Sequence, residues 1–143
     1  MTTPLCPDSS LFLKLWIEEP DSGSVQHLIA SWISEDRLLV APSLFAYEVT
    51  SVLRSAAHRQ RISAEDASRG LIEFRALDVQ LLRPPGLHDR ALALATEFRR
   101  PNAYDTHYMA IAEELDCEFW TADERLYNAV REGFPLIRLA ANA

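Results

Sequence analysis

Two hydrophobic rhythms alternate along this chain. Short apolar runs at 5–7, 37–41, 79–82, 118–121 and 136–139, mostly bounded by proline or acidic residues, read as strands. Between them apolar residues recur at helical spacing. Ser9 or Ser10 caps a predicted helix that runs to about 19 and stops at Pro20. Asp21-Ser22-Gly23-Ser24 opens a second, with Val25, Leu28, Ile29 and Trp32 at i, i+3, i+4 and i+7. Ser43 caps a third, to about His58, whose stripe is Phe45, Val49, Val52 and Ala56. Ser63-Ala64-Glu65-Asp66 resembles a capping box for a helix to about 77, and an Ala- and Leu-rich helix over 87–99 is broken by Pro101-Asn102. A helix over 104–115 faces Tyr108, Ile111, Ala112 and Leu115 inward, and a short one follows Asp123 to about 131. Strands alternating with helices predict one α/β layered domain over 1–143 with a largely parallel sheet.

Composition narrows this little. An apolar fraction of 48% and a charged fraction of 24% are those of a globular protein. No apolar run approaches a bilayer span, and the first residues lack the basic start and apolar stretch of a secretory leader. A cytoplasmic protein is expected, with Cys6 and Cys117 as buried, unpaired thiols because they fit no zinc or disulfide spacing. The net charge of −7 argues against nonspecific coating of nucleic acid. Charge is unevenly placed: residues 104–124 carry seven acids and no Lys or Arg, whereas 54–61 carry three Arg, one His and no acid. Arg99-Arg100 forms a second basic pair. Acidic pocket and basic rim would suit a metal site that receives a polyanion, although a solvated helix face accounts for the basic run on composition alone.

Four acids stand out by position. Asp8 and Asp123 each follow a predicted strand, Asp105 lies in a first helical turn one turn before Tyr108, and Glu48 interrupts the apolar stripe of its helix. Taken singly, Asp8 and Asp123 serve equally well as helix caps, Asp105 as a favourable first-turn charge, and Glu48 as the partner of Arg54 or a more distant Arg. Taken together they call for a shared counter-charge, since unpaired buried charge is costly and no Lys or Arg is well placed beside any of them. Ligands in parallel sheets bind beyond the carboxyl ends of strands, where all four are expected to converge around a divalent cation.

The blocks Pro7-Asp8-Ser9-Ser10, Ala46-Tyr47-Glu48-Val49, 104–112 (Tyr-Asp-Thr-His-Tyr-Met-Ala-Ile-Ala) and 120–126 (Trp-Thr-Ala-Asp-Glu-Arg-Leu) resemble the PIN domain, in order and spacing, over essentially the whole chain. Within that family the chain is most similar to VapC-type toxins of bacterial toxin–antitoxin pairs. The resemblance implies a three-layer α/β/α sandwich around a mostly parallel sheet of about five strands. It also implies an endoribonuclease that uses Mg2+ or Mn2+, with Asp8, Glu48, Asp105 and Asp123 as its acidic quartet. Ser10 and Thr121 match supporting hydroxyls that order a metal-bound water or a quartet carboxylate. The partners so implied are an RNA substrate, a small antitoxin lying across the acidic groove, and a second copy in a homodimer, with no membrane. Two positions depart from the pattern. Pro7 is unusual in a central strand because it cannot donate to the ladder, and His107 stands where a small residue is common.

Other α/β acid clusters fit less well. A response-regulator receiver needs a site Lys, and the one Lys is Lys14; a haloacid-dehalogenase-like phosphatase needs an Asp where this chain has Ser10. The alternative from another class is a noncatalytic PIN-like module that binds RNA or protein.

Overall fold

The computed structural model describes residues 3–143, which form five strands and seven helices in the alternating order expected. These are β1 (Leu5–Pro7), α1 (Ser9–Leu13), α2 (Ser22–Ser34), β2 (Val40–Pro42), α3 (Leu44–His58), α4 (Ala64–Ala76), β3 (Gln80–Leu82), α5 (Leu87–Glu97), α6 (Tyr104–Leu115), β4 (Glu118–Thr121), α7 (Glu124–Val130) and β5 (Ile137–Leu139), followed by a 3-10 turn at Ala140–Asn142. All pairings are parallel. β1, β4 and β5 form one ladder and β2 with β3 another, joined by a bridge from Leu5 to Leu39. The spatial order is therefore β3-β2-β1-β4-β5, within a three-layer α/β/α sandwich.

Pro7 explains why β1 meets β2 so briefly. The Leu5 amide donates to Leu38 O at 2.8 Å on one side, and the Asp8 amide donates to Trp120 O at 2.9 Å on the other. Amides alternate sides along a strand, so the missing N–H of Pro7 falls toward β2, the side where pairing ends. The ladder to β4 is untouched, with Cys6 opposite Phe119 and Pro7 opposite Trp120.

The core is aromatic beneath the carboxyl edge of the sheet. Tyr108, Phe12, Phe45 and Phe119 are its largest fully buried side chains; Phe12 meets Phe45 edge-on at 5.4 Å, and Tyr108 stacks on Phe119 at 6.1 Å. Cys6 and Cys117 are buried free thiols, as expected. Burial pushes the Cys6 thiol well above its ordinary range and that of Cys117 to about 11, so both are packing residues.

Several boundaries differ from the sequence pattern for local reasons. The first helix stops at Leu13, and its cap is Asp8 rather than a serine. Trp16 leaves the helical path to donate to Glu73 at 2.6 Å, and Lys14 holds Glu19 and Asp21 at 2.6 and 2.7 Å. β2 begins at Val40 because Asp36 and Arg37 are used to close α2: Asp36 takes a φ of 54°, and the Arg37 amide returns to Trp32 O at 2.9 Å. The stripe of α3 runs through Leu53, with Val52 half-buried beside it, and Ser43 caps without a side-chain bond. Leu115 ends α6 at 38% exposure instead of facing the core. α4 keeps its capping box, with Ser63 and Asp66 bonded reciprocally. α5 ends two residues early, and that end matters for the site.

Candidate active site

The strand order reverses between β1 and β4, which makes their carboxyl ends the switch point of the sheet. Asp8 leaves β1 there and Asp123 follows β4. Both cap helices: Asp8 Oδ1 accepts from the Leu11 amide at 3.3 Å, and Asp123 Oδ1 from the Arg125 and Leu126 amides at 3.0 and 3.2 Å. Capping does not exhaust them. Each carboxylate accepts these capping bonds on Oδ1 and keeps a second oxygen.

A polar chain that spans the switch point is built from the two hydroxyls. Ser10 donates a short hydrogen bond to Asp8 Oδ1 and accepts from the Ala122 amide at 3.1 Å. Thr121 Oγ1 lies 3.4 Å from Ser10 Oγ and accepts from the Asp123 amide at 3.0 Å. Thr121 is fully buried and Asp8 is 4% exposed, so these bonds fix the spacing of the two aspartates in a poorly solvated place.

Glu48 and Asp105 approach from the helices. Tyr108, one turn beyond Asp105 on α6, donates its hydroxyl to Glu48 Oε1. Arg100 Nη2 lies 3.7 Å from Asp105 Oδ2. The expectation that no Lys or Arg stands beside the acids is thus corrected. α5 closes with Arg99 at a φ of 53°, its amide on Thr96 O at 3.2 Å and that of Arg100 on Ala95 O at 2.8 Å. This helix-ending motif turns the chain so that Arg100 reaches Asp105. Glu48 finds Tyr108 and not Arg54, which is exposed, as are His58, Arg59 and Arg61. The 54–61 run is a solvated face, and the cation at the site comes from the second basic pair.

The electrostatics tie the four together. Burial lifts the Asp8 carboxyl from its ordinary 3.8 to about 7, against the lowering influence of the Ser10 and Thr121 hydroxyls and with further repulsion from Asp105. Burial also raises Glu48, Tyr108 lowers it, and Asp105 raises it again. Asp105 is raised by burial, lowered by Arg100 and raised by Asp123. Burial and the adjacent Glu48 push the Tyr108 phenol far up, so it remains a donor. Asp105 therefore feels or is felt by each of the other three. Among the described residues, no three His, Cys, Asp or Glu side chains stand close enough to share one ion as arranged, with Glu48 engaged by Tyr108 and Asp105 by Arg100. The donor set nonetheless fits a hard divalent cation: it offers carboxylate oxygens, without thiolates, at an edge where negative charge is under-compensated.

Sequence reasoning missed three groups at this edge. In the sequence Arg100 is only half of a basic pair. The Tyr108 hydroxyl carried no sequence signal beyond its inward heptad-like position. Ser9, a candidate cap from sequence alone, stands near enough to Glu48 to lower its carboxyl. His107 bonds the Ala103 carbonyl through Nδ1 and His88 Nδ1 through Nε2, the latter at 2.9 Å.

A parallel sheet with this acidic, hydroxyl-bridged switch point belongs to a known class. The PIN domain family profile matches residues 5–132, and the chain belongs to that family. Among individual relatives, a VapC ribonuclease of Mycobacterium bovis and ribonuclease VapC9 of Mycobacterium tuberculosis are each 35% identical to it over 116 residues, 81% of this chain and 85% of theirs. No helix among the described residues is long and apolar enough to cross a membrane.

Proposed function

We propose that the chain, as a single domain over 1–143, is a metal-dependent endoribonuclease and the toxin of a VapBC-type toxin–antitoxin pair. The carrying observation is the set of four carboxylates at the switch point, three of them held above their ordinary pKa range by burial and mutual repulsion. The VapC relatives support the RNA substrate and an antitoxin partner. A homodimer working in the cytoplasm completes the reading.

Asp8, Asp105 and Asp123 would hold Mg2+ or Mn2+ directly or through water, and Glu48 would add a ligand or orient the attacking water. The bound ion would acidify that water and offset charge on the phosphoryl oxygens. The protein's own contribution is order. Ser10 fixes one Asp8 oxygen and ties it to the turn between β4 and Asp123, while the Tyr108 hydroxyl partly offsets the upward shift of Glu48 and fixes its carboxyl in place. Arg100 neutralises part of Asp105 and sets a cation at the rim where a phosphate must approach acids.

The test is cleavage of a panel of single-stranded RNAs and tRNAs with Mg2+ or Mn2+, with EDTA and Asp105→Asn as controls. Cutting that needs both the metal and Asp105 is the expected result. Silence from folded, antitoxin-free protein that also fails to bind Mn2+ would overturn it in favour of a noncatalytic RNA- or protein-binding module.

A further inference from the structure

Beside the acidic edge lies a cavity of about 370 Å3 that hydrolysis leaves unused, lined by Tyr47, Arg83, Leu87, His88, Tyr104 and His107 among others. It opens past the carboxyl ends of β2 and β3, between the first turns of α3, α5 and α6, and its size is that of a small-ligand pocket. Tyr47 and Tyr104 each immediately precede a site acid, Glu48 and Asp105, so the cavity adjoins the acidic edge. Both rings are presented to solvent, at 74% and 58% exposure.

The polar groups of this cavity have defined roles. A carbonyl oxygen only accepts, so His107 Nδ1 must carry the proton in its bond to Ala103. In the neutral ring Nε2 then accepts from His88 Nδ1, which leaves His88 Nε2 as a lone-pair acceptor on the cavity wall. Arg83 makes no ion pair among the described residues, although the edge beside it is acidic. Two exposed aromatic faces, one acceptor and one uncommitted guanidinium match an unpaired nucleotide: faces for the base, an acceptor for a base N–H, and a cation for the next phosphate.

We infer that the Tyr47–Tyr104–His88 cavity is a subsite that stacks one nucleobase flanking the scissile phosphate, so that these three residues take part in choosing where this chain cuts. The inference rests on the ribonuclease reading and names part of its substrate.

The test takes an RNA that the wild-type chain cleaves and replaces each nucleotide flanking the cut by an abasic one. Tyr47→Ala and Tyr104→Ala are expected to raise KM roughly ten- to a hundred-fold with little change in kcat, the usual loss for one stacked base, while Tyr47→Phe stays near wild type. One abasic position should penalise the wild type by a similar factor and the alanine variants hardly at all, because the two changes remove the same contact. An unchanged KM, or an abasic penalty equal in wild type and variants, overturns the inference. A Tyr47→Ala protein that sediments as a smaller species and retains the abasic penalty would overturn it too, marking an interface between copies. If the wild type cuts no RNA, the ribonuclease reading has failed, and AMP, GMP, CMP and UMP titrated in EDTA then decide the cavity. Saturable NMR shifts at His88, lost in Tyr47→Ala, would sustain it, and no response to any of the four would overturn it.

Discussion

Replacing Asp8 with asparagine should stabilise the metal-free protein, by an amount that grows with pH. In the fold the carboxyl is 4% exposed and held at about 7; in the unfolded chain it returns to its ordinary 3.8. At ~1.4 kcal/mol per pH unit, folding with an ionised Asp8 costs about 4 kcal/mol once the pH exceeds 7. The sign follows from the raised pKa. Below 3.8 the group is protonated in both states and carries no penalty. Between 3.8 and 7 the unfolded state alone gives up its proton, so stability falls as pH rises. Asparagine cannot ionise, yet its carbonyl oxygen can still accept from Ser10 and the Leu11 amide. The gap between variant and wild type should therefore open from near zero at pH 4 to about 4 kcal/mol at pH 8, a large share of the ~5–15 kcal/mol of a typical domain. Urea unfolding followed by circular dichroism in EDTA would show this as a midpoint difference of about 2 M at pH 8, closing at pH 4. A difference that does not change with pH, or a variant less stable at pH 8, would refute the claim that burial of Asp8 governs the electrostatics of this edge.

If the carboxylates hold a cation, Mn2+ at a hundred times its Kd should stabilise the wild type by about 2.7 kcal/mol at pH 8, read by thermal unfolding. Asp105→Asn should show little of that gain, and an equal gain would remove Asp105 from the metal. Ser10→Ala strips one bond from Asp8 and one from the Ala122 amide, so a loss of about 1–3 kcal/mol in urea is expected, together with reduced cleavage at saturating RNA. Tyr108→Phe removes the donor that lowers Glu48, so the Glu48 pKa should rise and the acidic limb of the pH–rate profile should move to higher pH. An unmoved limb would show that the ionisation of Glu48 does not limit the rate.

The elements were legible wherever a local rule sufficed. Period-two and period-3.6 patterns, the capping box at Ser63 and the break at Pro101 mark β–α alternation over most of the chain, and α6 has the bounds its pattern predicts. Two misses, the end of α5 and the start of β2, fall where Arg99 and Asp36 close a helix in the left-handed region, although Asp116 closes α6 in the same way without displacing its end. The site divides along the same line. Asp8 and Asp123 could be placed because each directly follows a strand, and a parallel sheet delivers strand ends to one edge whatever the strand order. Arg100 could not be placed, because its approach to Asp105 depends on the turn at Arg99, and the Tyr108 bond to Glu48 depends on how α3 and α6 pack. What a sequence exposes in such a fold is the set of acids that topology must gather. The cations, hydroxyls and histidines that tune those acids are set by helix ends and crossings, and there a shift of one residue changes the partner.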